Sequence, residues 1–217
     1  MADFKTVRGV RMRVTRVDEC GIPATGATDS VVTDGFATVS YSPEIESRDE
    51  IVEKNAGGVI YINDTTAPQL KWYDLSMEFQ SVNPNLFQII TGQTVVDDYA
   101  AEPVGISIGD EIPIEGFALE VWSDIPGAGC TDGAVPYGYF LVPWAIEGFL
   151  TDLTIENAAI TFGIDGRSQN YHQWGVGPYD VVEEDAINTP GPLLVPLGER
   201  KHFHIQRTLI APPAITA

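Results

Sequence analysis

His202 and His204 stand two residues apart in a segment that reads as a strand, so both side chains can face one side. Two imidazoles at that spacing, with a third ligand, could hold a divalent metal. His172 or a carboxylate would have to be that third ligand, and none stands at a fixed spacing, so an ordinary strand with two polar positions is the simpler account. Acid pairs are more numerous: Asp97 with Asp98, Asp110 with Glu111, and Glu183 with Glu184 and Asp185. Two carboxylates facing across a cleft suit glycoside hydrolysis, but adjacent acids in loop-like stretches are usually solvated surface. Trp122, Trp144 and Trp174 could make a sugar-stacking platform, although aromatics at alternating strand positions more often belong to a core. There is no phosphate-binding loop, no Cys-x-x-Cys pair and no HExxH helix motif. The chemistry-bearing residues therefore point away from an enzyme and imply no cofactor and no metal. Cys20 and Cys130 are two thiols or one bridge, and spacing does not decide which.

The charge layout is more informative. The chain has 217 residues, 44% of them hydrophobic, and a formal net charge of −19. That balance should repel nucleic acid and anionic membranes. Five of the 12 Lys and Arg residues fall in the first 16 positions: Lys5, Arg8, Arg11, Arg13 and Arg16. Arg200, Lys201 and Arg207 lie near the other end, and no Lys, Arg or His separates Lys71 from Arg167. A monomer gains little from such segregation. In a head-to-tail assembly one subunit's cationic strand can meet another's acidic surface, and such contacts close into rings or grow into filaments. The opening MADFKTVRGVRMRV lacks an apolar signal region, and no apolar run approaches the roughly 20 residues of a membrane helix. A chain made and folded in a cytosol, with no membrane partner, is the expectation.

The elements follow from periodicity. RGVRMRVTRVD reads as a strand with Val10, Met12 and Val14 on one face and Arg11, Arg13 and Thr15 on the other. GIPATGATDS is a turn-rich connector, and GFATVSYS, after an Asp34–Gly35 turn, is the second strand. Residues 41–69 form a long excursion, partly hairpin or loop. Trp72, Asp74, Ser76, Glu78 and Gln80 alternate with Tyr73, Leu75, Met77 and Phe79. A helix then starts at an Asn83 cap with Pro84 in its first position and stops at Gly92. GFALEVWSD, YGYFLVPWA and LTDLTIENAAITFGID supply further strands, the last ending on an Asp165–Gly166 turn. YHQWGVGPYDVV is a glycine-rich aromatic loop leading to a short strand, and the proline-bearing end is an arm. Seven or eight strands with one helix make one mainly β domain over 1–217, a sandwich or barrel.

The order of these features resembles the major tail proteins of long-tailed bacteriophages, the siphophage tail tube subunits, most of all those found in phages of actinobacteria. The likeness covers most of the chain. It rests on the basic first strand, the long acidic excursion, the strand into NPNLFQIITG, and the local stretches IENAAITFGIDG and WGVGPYDVV. The resemblance implies two packed antiparallel sheets with a flanking helix. Six copies would form a ring around an inner β-barrel, and stacked rings would form a tube through which the genome leaves. It implies contacts to the next ring from 41–69, 1–9 and the arm at 209–217. The partners it implies are further copies of the chain, the tail terminator, tape-measure and distal tail proteins, and phage DNA that passes without specific binding. The location would be the virion tail, assembled in the host cytoplasm. Neighbouring readings are a contractile-tail inner tube or secretion-system tube, and, in another class, a capsid decoration or β-sandwich binding module.

A conduit must not hold its cargo. One exposed Lys–phosphate pair is worth only about 0.5 kcal/mol, but repeated on every ring it becomes a rugged barrier to sliding. Like charges about 10 Å apart repel by only about 0.4 kcal/mol in water, which centres a duplex without blocking it. The expected bore-lining acids are those on polar strand faces: Asp74, Glu78, Glu120 and Glu156. The expected inter-subunit charges are Arg8, Arg11, Arg13 and Arg16 against Glu44, Glu46, Asp49, Glu50 and Glu53.

Overall fold

The computed structural model describes residues 5–47, 50–110, 116–126, 135–151, 153, 160–175, 177 and 180–216. Among these residues the structure is mainly β, with several antiparallel sheets and one helix. The main sheet joins β1 (Gly9–Val17), β2 (Ser30–Thr33), β3 (Phe36–Ile45), β6 (Leu70–Phe79), β9 (Gly116–Asp124), β10 (Tyr137–Leu150), β11 (Phe162–Ser168) and β14 (His204–Thr208). Its order is β2-β1-β9-β10-β11-β6-β3, and β14 pairs with the first half of β10. Three hairpins stand apart: β4 (Glu50–Lys54) with β5 (Ile60–Thr65), β7 (Thr94–Asp97) with β8 (Pro103–Ser107), and β12 (Val182–Glu183) with β13 (Pro190–Gly191).

The two end strands of the main sheet, β2 and β3, are joined by Asp34 and Gly35 alone. Six strand-to-strand steps separate them along the sheet. Flat, those steps would span about 29 Å, whereas the link reaches about 11 Å at most. The sheet must therefore roll until its ends meet. Phe36 accordingly lies across the start of β1, 2.7 Å from where a Cβ on Gly9 would stand. The expected Asp34–Gly35 turn exists, but it joins opposite ends of the sheet rather than a hairpin. The strand before it, SVVT, is β2, which the turn-rich reading of that stretch missed.

The roll encloses one core. Met12 and Val14, Leu75, Met77 and Phe79, Phe117 and Leu119, Val142 and Ile164 all point inward. The helix α1 (Pro84–Thr91) plugs it with Leu86, Phe87, Ile89 and Ile90. Its ends are as the residues dictate. Asn83 accepts a hydrogen bond from the Leu86 amide at 3.2 Å, Pro84 opens the first turn, and Gly92 closes it at φ 61°. A bulge between Ile146 and Phe149 in β10 brings Gly148 against this helix, where a Cβ would stand 2.1 Å from the Ile90 carbonyl oxygen.

The hairpin turns share one device. Asp18, Asn55, Asp98 and Asp185 each accept, through Oδ1, the amides two and four residues onward. The residue three onward is left-handed in every case: Gly21, Gly58, Ala101 and Asn188. Several of the chain's acids are thus turn caps. Hydrogen bonds from Thr189 hold the Asp185 carboxyl below its ordinary range.

Two expectations are corrected, and a third concerns residues outside those described. Asp165 and Gly166 lie inside β11, not in a turn; the strand continues because both sides of it are paired, by β10 and β6. Residues 154–159, including Glu156, lie outside the described residues. The 209–217 segment, expected as an arm, returns along its own chain as far as it is described. Ile210 is buried, the Leu209 amide donates to Glu183 Oε1 at 2.5 Å, and the Thr216 amide donates to the Val32 carbonyl at 3.0 Å. The 41–69 excursion is the end of β3 followed by the β4–β5 hairpin, both of whose strands are exposed at every residue.

Two stability changes test this account by urea denaturation. Gly148→Ala should lose about 2 kcal/mol or more, because backbone on both sides must move. Ala101→Gly should gain roughly 0.5 kcal/mol, since relief of a left-handed alanine slightly exceeds the added chain entropy.

Candidate functional site

The outer face of the rolled sheet is divided in two. Over β1, β9 and the first half of β10 it is covered by a second core, in which Trp122, Tyr139 and Leu141 meet Trp174, Val181 and Leu193. Every residue from Gly116 to Ser123 is consequently buried, whichever way it points. Over β3, β6, β11 and the bulged end of β10 the outer face is open.

The open face is built from alternation. In β6, Leu75, Met77 and Phe79 go to the core, so Asp74, Ser76 and Glu78 go outward. Antiparallel register aligns them in rows: Thr38, Glu78 and Gly163; Ser40, Ser76, Asp165 and Phe149; Ser42, Asp74 and Arg167. Glu44 extends the face beside Trp72. The β10 bulge turns Glu147 onto the same face, at φ 58°. A shallow cavity of about 270 Å³ lies among Ser40, Ser42, Asp74, Glu147, Asp165 and Arg167. The carboxylates of Asp74, Glu147 and Asp165 share this cavity with the Arg167 guanidinium, and those of Glu44 and Glu78 stand farther along the same face.

That guanidinium is occupied. Arg167 donates to Glu147, lies 5.1 Å from the Trp72 ring centroid, and is the cross-strand neighbour of Asp74. Trp72 Nε1 in turn donates to Asp74 Oδ1 at 2.9 Å. The small serines leave backbone and carboxylates accessible between the strands. The face presents mostly negative charge, which suits soft repulsion of an anion better than its capture.

Asp74 and Glu78 stand where alternation put them. Glu120 does not, and its expected place on a solvent-facing strand face is corrected: it is fully buried, because the second core covers that side of β9. Its oxygens receive Arg13 Nε at 2.5 Å and Nη2 at 2.7 Å, and the Tyr139 hydroxyl donates to it at 2.7 Å. The Arg13 guanidinium also lies 5.4 Å from the Trp122 ring centroid. Arg13 is therefore an internal residue, not an inter-subunit one. The charge segregation that pointed to assembly is largely resolved within the chain. Arg8 pairs with Asp124 at 3.0 Å, Arg11 with Asp34 at 3.5 Å and Arg16 with Asp29 at 3.7 Å. Glu44, Glu46, Glu50 and Glu53 are exposed at the end of β3 and on the hairpin, while Asp49 lies outside the described residues.

Sequence reasoning missed Glu147, Asp165 and Arg167. The signal for the last two was present, since Phe162, Gly163, Ile164, Asp165, Gly166 and Arg167 alternate as a strand does. Nothing marked Glu147, whose position comes from the bulge. The tryptophans of the proposed stacking platform are core, with Trp122 and Trp174 buried and Trp144 packed against them. His202 and His204 do not converge. His202 Nδ1 bonds Ser168 Oγ at 2.8 Å, and His204 Nε2 bonds Gln206 Oε1 at 2.9 Å. Among the described residues no group of three His, Cys, Asp or Glu side chains could hold a metal ion, and no helix is long and apolar enough to cross a membrane. Cys20 is an exposed free thiol; Cys130 lies outside the described residues.

No family model matches the chain, and no curated protein matches it.

The division of the outer face makes a sharp contrast in stability. Glu120→Ala leaves Arg13 buried without its partner and should cost about 3–5 kcal/mol. Glu78→Gln, on the open half, should change stability by less than about 0.5 kcal/mol. Urea denaturation of the two variants measures both.

Proposed function

We propose that the chain is a structural subunit that assembles with copies of itself into a tube, the tail tube of a long-tailed bacteriophage, whose bore is the open acidic sheet face. The observation that carries this reading is that face itself: an uncovered, serine-spaced strip of Asp74, Glu78, Glu147 and Asp165 on strands whose other side is core. One wet face is ordinary for an antiparallel sheet; what favours a bore is that the exposed charges of this face are nearly all acidic. A conduit for DNA needs a surface with few phosphate wells, and here the one guanidinium is already held by Glu147 and Trp72.

The hairpin supports the assembly half of the reading. Ile51, Val52, Val59, Ile60, Tyr61 and Ile62 are all exposed on β4–β5 and the turn between them, with Tyr61 at 80%. An isolated two-stranded hairpin is marginal in water, and this many exposed large apolar side chains mark a contact surface. Its acids Glu50 and Glu53 would form the rim of that contact. The unpaired outer edge of β3 offers a second place where a neighbouring copy could add a strand.

Two experiments test the reading. Negative-stain microscopy of concentrated protein should show tubes, and removal of residues 47–68 should leave a folded subunit that no longer stacks; full-length tubes from that deletion would refute the hairpin's role. Changing Asp74, Glu78 and Asp165 together to lysine should leave tubes intact but slow DNA release from assembled particles. Unchanged release kinetics would remove the face from the bore.

A further inference from the structure

Two histidines are buried where the segments 169–175 and 197–203 pack on the sheet. His172 is 1% exposed and His202 is 7% exposed. His172 lies in the segment 169–175 that crosses the turn after β1, where its Cα is 2.9 Å from the position of a Cβ on Gly21. The segment is tied down by backbone bonds from Gln173 to Gly21 and from Tyr171 to Glu199. His202 ends the segment 197–203, and the next residue, Phe203, packs among Tyr41, Tyr73 and Phe140.

Both rings are buried and hydrogen-bonded through Nδ1. His172 Nδ1 accepts the Trp174 amide at 3.2 Å. His202 Nδ1 shares a 2.8 Å hydrogen bond with Ser168 Oγ, which also accepts the Tyr73 amide at 2.8 Å. Protonating His172 Nδ1 removes the acceptor of the Trp174 amide. Either ring, once protonated, would also carry a charge inside the fold, beside the other.

We propose that His172 and His202 form an acid-operated latch, which holds 169–175 and 197–203 against the sheet when neutral and releases them when protonated. This inference does not rest on the tube reading. The groups facing His172 are His202, whose charge opposes protonation, and Glu199, whose exposed carboxylate favours it. Backbone groups of Gly198 and Lys201 also favour the charged ring, while Gly21 and the Trp144 ring line its other sides. Facing His202 are Ser168 of β11 and, through it, the Tyr73 amide of β6. Arg200 is engaged with the Tyr171 ring, 5.5 Å away.

Burial is the largest influence on both rings and lowers both from the ordinary value of 6.5. The closed form therefore binds fewer protons than the open form. Its stability is complete above about pH 6.5 and is lost as pH falls from there through the lowered values.

Hydrogen exchange of the full chain tests this. Between about pH 7.5 and pH 5, corrected for intrinsic exchange, protection in 169–175 and 197–203 should fall at least about tenfold, while β9 and β6 stay protected. His172→Asn/His202→Asn, which keeps an oxygen acceptor near each Nδ1 and cannot charge, should lose that response, and His204→Asn should retain it. If the double variant does not fold, His202→Asn alone should shrink the response. A wild-type chain without the response, a response that survives in the Asn variants, or β9 and β6 opening at the same pH would each overturn the latch.

Discussion

Two residues between the end strands of a seven-strand path force the whole architecture. Asp34 and Gly35 cannot bridge a flat sheet, so β2 and β3 must meet and the sheet must roll. Rolling creates an inside that is filled by one apolar side chain in two from each strand and by the four apolar residues of α1. It also creates an outside that no single layer can cover. The remaining questions about this chain concern what lies on that outside.

One half of the outside is occupied by the chain itself. The segments after β11 lay Trp174, Val181, Val182 and Leu193 over β1, β9 and β10, so β9 is buried on both faces. That is an unusual demand on an antiparallel strand, which normally keeps one side wet. It turns two charges that a simple strand would show to solvent into a buried pair. Arg13 and Glu120 meet through two hydrogen bonds, with Tyr139 and Trp122 completing the surroundings. Such a pair is weak evidence for added stability, because both ions lose their hydration. Its geometry does fix which residue of β1 faces which residue of β9, and a slip by one residue would bury an arginine without a carboxylate.

The other half is left open, and there the acids collect. Twelve of the chain's 31 acids fall into three groups. Asp29, Asp34, Glu120 and Asp124 answer the arginines of the first strand. Asp18, Asp98 and Asp185 close hairpin turns. Glu44, Asp74, Glu78, Glu147 and Asp165 form the bare face. Only the third group bears on the proposed conduit, and a charge total by itself does not separate it from the other two.

Local features were legible without the fold. The Asn83–Pro84–Gly92 helix, the alternation of β6, the inward residues of β9 and the mainly β class all follow from side-chain chemistry that acts within a few residues. The long-range facts were not legible. Alternation says that Glu78 and Glu120 each leave the core face of their strands, but not whether a second layer waits on the other side; for Glu78 there is none, and for Glu120 there is one. The gap between Lys71 and Arg167 looked like a cation-free stretch, yet Arg13 and Arg167 sit inside it in space, because antiparallel pairing brings residues about a hundred positions apart into register. Sequence alone determined which residues want water and which do not. Only the rolled sheet decided which of the water-seeking residues reach it, since that depends on contacts between strands far apart in the chain.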